Sequence, residues 1–141
     1  MQHKHALRIL ALSLWLTLGC LLPAIALADD FDEAVSALAD GDYRIAYRGF
    51  KRLAQQDHPQ AQFQLGMLYL AGQGVEMDVA QGIEWLERAA NGGLYLAANE
   101  LAQIYLAGRG VAPDEQEAMK WVELATKLAE QNSDEADEGC E

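Results

Sequence analysis

Residues 69–75 read YLAGQGV and residues 105–111 read YLAGRGV. The recurrence is not confined to that loop. With a shift of 36, Ala61, Leu65, Tyr69, Leu70, Ala71, Gly72, Gly74, Val75, Asp78, Trp85, Glu87 and Ala89 all recur identically between residues 61–94 and 97–130. A repeat of that period marks a solenoid or a propeller, whose units bury their apolar faces only by stacking on one another. Ala61, Leu65, Leu68 and Tyr69 follow helical spacing, as do Ile83, Leu86 and Ala90, and no stretch alternates as a strand would. Each unit is thus expected to be a helical hairpin, and the fold class all-α.

The Gly-x-Gly pair could cradle a phosphate or make a turn. Phosphate binding wants the glycines after a strand and directly before a helix N-terminus. Here they follow a helical pattern, and no lysine comes after them. Gly72 and Gly74 fit a helix end that needs positive φ, with Val75 tucked under the turn. Asp78 then caps the next helix, with Gln81 three positions on; Asp114 and Glu117 repeat the spacing of a capping box. The turn is the better reading.

The pattern Ala61-x3-Leu65-Gly66-x2-Tyr69-x2-Gly72-x-Gly74-Val75-x2-Asp78, followed by Trp85 and Ala89-Ala90, resembles a Sel1-like repeat. That family is a branch of the tetratricopeptide-like α/α solenoids. The second copy has Ala102 for the glycine and Thr126 for the second alanine. Upstream, residues 39–54 look like the second half of a tetratricopeptide unit with a tighter turn at Gly41, which makes residues 31–56 a third, divergent hairpin. The expected architecture is a short right-handed α/α solenoid of three hairpins. Its helices are placed at 30–39, 43–56, 59–71, 79–91, 95–107 and 115–131.

The ends read differently. Lys4 and Arg8 precede an apolar run from Ile9 to Leu22, Pro23 breaks it, and Ala26 and Ala28 stand before Asp29. This is the form of a secretory signal peptide cleaved after Ala28, so residues 1–28 are assigned to it and the chain is expected in the periplasm or outside the cell. The rival is a lipid anchor at Cys20, which Thr17 and the apolar residues after the cysteine disfavour. Residues 29–131 are the repeat domain. Residues 132–141, NSDEADEGCE, are acidic and apolar-poor, and are expected to be disordered.

Removal of Lys4 and Arg8 leaves 8 basic residues against 22 acidic ones, a net charge of −14. That excludes an ordinary nucleic-acid binder, which needs a basic face. Of the two cysteines only Cys140 would remain, so no internal disulfide can form. Catalytic residues are hard to find. His58 stands alone before Pro59, and neither Ser36 nor Ser133 has a histidine at a suggestive spacing. No metal-ligand spacing and no cofactor motif is present. Cysteine-rich relatives in the resembled family are described as binding or hydrolysing β-lactams, but this chain lacks their paired cysteines. No enzyme activity and no cofactor are expected. The alternatives kept open are a peptidoglycan-binding protein and a β-lactam-hydrolase-like enzyme.

Two surfaces could carry binding. Arg44, Arg48, Lys51 and Arg52 form a stripe at spacings of three and four, opposite an apolar face of Tyr43, Ala46, Tyr47, Phe50 and Leu53. It is either an ordinary solvated helix side or a strip for an anionic partner. The second surface is carried over from the resemblance, in which the first helix of each unit lines a concave face. That places Phe63, Met67 and Leu70 on the face, then Asn99, Gln103 and Leu106, with Phe31, Val35 and Leu38 from the divergent unit. The competing reading packs Phe63 and Met67 on the first helix instead. The function implied by the resemblance is an exported, non-catalytic scaffold of the bacterial envelope that binds another protein or peptide on its concave face.

Overall fold

The computed structural model describes residues 22–138, with side chains described from 30 to 132. Six helices follow one another: α1 (Leu22–Ala39), α2 (Tyr43–Ala54), α3 (Pro59–Ala71), α4 (Val79–Asn91), α5 (Tyr95–Ala107) and α6 (Glu115–Glu138). There is no strand among the described residues. The main packing is between helices consecutive in the chain, which is the geometry of a solenoid. Cys20, Cys140 and most of the assigned signal peptide lie outside the described residues.

The two repeats close with the same turn. Gly72 and Gly108 take φ of 65°, and Gly74 and Gly110 take 73° and 75°. In this region a Cβ meets the backbone, so glycine is the residue that fits. The amides of Gly72 and Gln73 both reach the Leu68 carbonyl, and those of Gly108 and Arg109 reach Ile104, so the helix ends are closed by backbone alone. The caps also fall as expected. Asp78 Oδ1 accepts from the Gln81 amide at 3.0 Å, and Asp114 Oδ1 from Gln116 and Glu117 at 2.9 and 3.0 Å. The reciprocal half of the capping box is not formed. The Gln81 side chain donates to Glu84, and Glu117 accepts from Lys120.

Two expectations about the ends are corrected. Helix α1 begins at Leu22, ahead of the expected residue 30, because no breaker follows Pro23 in an alanine-rich run. Helix α6 continues to Glu138, so residues 132–138 are helical where an unstructured tail was expected. The acidic composition argued for disorder, but Glu135, Ala136 and Glu138 are good helix formers, the helix is already formed ahead of them, and the first breaker is Gly139.

Two apolar clusters fill the array. The first joins Ala34 and Ala37 of α1, Ala46, Phe50, Leu53 and Ala54 of α2, and Ala61, Leu65 and Leu68 of α3. The second joins Ile83, Leu86, Ala89 and Ala90 of α4 to Ala97, Ala98, Leu101 and Ile104 of α5. Helix α3 feeds both. Its Ala61, Leu65 and Leu68 lie in the first cluster, while Phe63, Met67 and Leu70 pack against the second. That double burial accounts for a helix with apolar residues on two sides.

Candidate functional site

Phe63, Met67 and Leu70 are half-buried, pressed on the α4–α5 cluster. They are a wedge between units, neither an open groove nor a pad on the first helix. The reason is the close approach of α3 and α4. A Cβ on Gly82 would stand 2.8 Å from Leu70, and one on Gly66 would stand 2.9 Å from the Gly82 carbonyl. Phe31 and Leu38 likewise pack on the first cluster, while Val35 is exposed. The Phe31 ring stacks on His58 at 5.0 Å and meets Phe50 edge-on at 5.8 Å. His58 caps α3, its Nδ1 accepting from the Ala61 amide at 3.3 Å, so this histidine has a structural role.

One repeat further on, the same positions are open. Asn99, Gln103 and Leu106 are all exposed. The register also links α4 to α6. Ile83 and Leu86, which are 8% and 0% exposed, become Met119 and Val122, which are 57% and 47% exposed; Leu106 is 57% exposed. In the first repeat these positions are covered by the next unit, and after the second repeat no described unit follows. Met119 and Val122 were missed in the sequence, although shifting Ile83 and Leu86 by 36 would have found them.

The basic stripe lies on the exposed side of α2, as expected. Its four members differ in their partners. Arg52 pairs with Asp30 at 2.9 Å. Lys51 donates to the Tyr47 hydroxyl at 3.2 Å and sits 5.4 Å from the centre of its ring. Tyr47 shares a 3.0 Å hydrogen bond with Tyr69 of α3. Burial raises the Tyr47 phenol, but the bonds from Tyr69 and Lys51 and the lysine charge outweigh it, leaving its pKa below the ordinary tyrosine value. Tyr69 is pushed up to about 12 by burial, then by its bond to Tyr47 and by the charges of Tyr47 and Asp78. The opposite signs describe one pair, in which Tyr47 ionises first because Lys51 favours its phenolate. Arg44 and Arg48 have no ion-pair partner among the described residues and border shallow depressions. Tyr43, expected on the core side, is exposed at the first turn of α2.

One unit further along the array this chemistry reverses. Lys51 and Arg48 correspond to Glu87 and Glu84, and Tyr69 to Tyr105. Burial raises the Glu87 carboxyl above its ordinary range, with Glu117 and Glu84 adding to the rise. Burial also raises the Tyr105 phenol, assisted by Glu87, Glu117 and Asp114. No group of three or more His, Cys, Asp or Glu among the described residues could hold a metal ion. No described helix is long and apolar enough to cross a membrane.

The Sel1 repeat model matches residues 59–94 and 96–130. No curated protein matches the chain. Several solved structures are similar to it, two of them as follows. A Sel1 repeat protein from Oxalobacter formigenes is 33% identical over 60% of this chain and 35% of its own, with a TM-score of 0.56. A protective antigen of uropathogenic Escherichia coli strains, displaying an SLR fold, is 25% identical over 77% of this chain and 26% of its own, with a TM-score of 0.64. This chain therefore spans only a minor part of either one's length.

Proposed function

Since this chain belongs to the Sel1 repeat family, whose members generally mediate protein–protein interactions, we propose that it is an exported, non-catalytic adaptor of the bacterial envelope that holds one partner protein. The N-terminal pattern of residues 1–28 supports export, with a periplasmic or secreted form beginning at Asp29. One observation carries the docking site. Leu106, Met119 and Val122 are exposed at positions whose equivalents one repeat earlier are packed against the next unit. A surface shaped to stack on a helical hairpin, rimmed by Asn99 and Gln103, suits an α-helical partner.

The test is a Met119→Lys, Val122→Lys double variant. Both side chains are exposed, so its stability stays within about 0.5 kcal/mol per site of the parent. It is expected to lose the protein that the parent chain captures from envelope extract. Equal capture by the variant would overturn this docking face. Mass spectrometry of the exported form checks the compartment: Asp29 at the N-terminus is expected, and a diacylated Cys20 would replace the soluble form with an anchored one.

A further inference from the structure

Six arginines occur in the chain, and five fall among the residues whose side chains are described. Three of those five are paired: Arg52 with Asp30, Arg88 with Glu84 and Arg109 with Glu100. Arg44 and Arg48 are not paired among the described residues, although the chain has 22 acidic residues to 10 basic ones. They lie one helical turn apart on α2, so their guanidinium groups rise from one strip of surface. Together with Tyr47 and Gly74 they line a depression of about 280 Å³, and depressions on either side continue along α2.

The shape of that groove depends on one residue. Gly74 brings the α3–α4 turn onto the start of α2 so closely that a Cβ there would lie 2.1 Å from the Tyr43 carbonyl oxygen. Its side of the groove is bare backbone. The corresponding turn of the second repeat rests on a side chain instead, with the Val79 methyl carbons 2.8 Å from where a Gly110 Cβ would stand. The charge does not repeat either, since Arg44 and Arg48 correspond to Ala80 and Glu84. The groove beside α2 thus combines bare backbone with cations that are unpaired among the described residues.

We propose that the Arg44–Arg48 groove is a docking site for a carboxylate-rich segment of a partner polypeptide. A guanidinium presents a planar fork that matches a carboxylate in two parallel hydrogen bonds, and two forks one turn apart can take successive acidic side chains. Lys51, already held on Tyr47, adds a third positive charge one turn further along. An anionic membrane is the poorer occupant. The strip is confined to one helix, and the acidic excess of the remaining surface repels a charged bilayer. This site is separate from the Leu106–Met119–Val122 face and does not depend on it.

The experiment titrates the full chain with an end-capped polyglutamate peptide at low salt and follows backbone amide resonances. Saturable shifts are expected at Arg44, Arg48 and Gly74, fading as salt rises. Arg44→Gln with Arg48→Gln is expected to weaken binding by about tenfold or more, since charge-assisted hydrogen bonds are lost. Arg44→Lys with Arg48→Lys keeps the charge and is expected to lose part of the affinity, while Lys120→Gln with Lys127→Gln leaves it intact. Unchanged circular dichroism of each variant shows that the fold persists. Four results would overturn the proposal: no saturable binding, shifts spread over all basic residues, equal affinity in the Arg44→Gln, Arg48→Gln variant, or phosphatidylglycerol vesicles displacing the peptide through the same two arginines.

Discussion

The α3–α4 and α5–α6 hairpins carry the same turn and the same aspartate cap on their second helices, yet their helices meet through different atoms. In the first, Gly66 and Gly82 bring backbone against backbone, with the Gly66 site 2.9 Å from the Gly82 carbonyl. In the second, Ala102 and Ala118 occupy those positions and bury their methyl groups almost completely. The outward faces differ more. The first hairpin sends Phe63, Met67, Leu70, Ile83 and Leu86 into the second cluster. The second hairpin shows Asn99, Gln103, Leu106, Met119 and Val122 to solvent. The turn is set by local backbone needs, whereas the use of a helix face is set by what stacks on it.

Buried and open copies of one position should differ most in stability. Leu86→Ala removes a fully buried side chain and should cost about 3–5 kcal/mol, while Val122→Ala should stay within about 0.5 kcal/mol. Denaturant melts of the two variants make the comparison, and similar losses would mean that the end face is covered in solution.

The turns should separate by less. Gly74→Ala combines a left-handed φ with a clash against the Tyr43 carbonyl and should cost about 3 kcal/mol. Gly110→Ala has the same φ but meets only the Val79 side chain, and should cost about 1–2 kcal/mol. If chemical unfolding gives equal losses, the backbone contact beside α2 is looser than described.

The smallest effect is electrostatic. The folded-state pKa of Glu87 is raised, so its contribution is fully present below the ordinary glutamate value of 4.5 and is lost as pH rises through the folded value. At neutral pH the carboxylate opposes folding. Glu87→Gln should therefore stabilise by about 0.3–0.5 kcal/mol near pH 7 and give no gain near pH 3. Thermal melts at the two pH values check the sign. The equivalent change on α2, Lys51→Gln, should instead raise the Tyr47 pKa, because the cation that favours its phenolate is removed. Ultraviolet titration of the phenols reads this out.

Much of the fold was legible because its signals are local. The period of 36 located two hairpins, the glycines located the turns, and Asp78 and Asp114 located two helix starts. Helix bounds at 59–71, 79–91 and 95–107 match the expected ones, since breakers and caps stand beside them. The ends were read less well. Composition suggested disorder after residue 131, while helix propensity carried α6 to Glu138.

The candidate surfaces were legible only in part. The stripe of Arg44, Arg48, Lys51 and Arg52 follows from helical periodicity, which fixes the face a side chain occupies. Which of those cations is already engaged does not follow, because Asp30, Tyr69 and Gly74 reach the stripe from other elements. Phe63 and Met67 show the same division. Their sequence pattern established that α3 has a second apolar side. Only the stacking of α4 and α5 determined that this side is an internal wedge, while Leu106, Met119 and Val122 were left open at the end of the array. Local sequence sets backbone geometry through sterics and hydrogen bonds a few residues apart. Burial is a property of the neighbour that arrives, and in a solenoid that neighbour comes from the next unit.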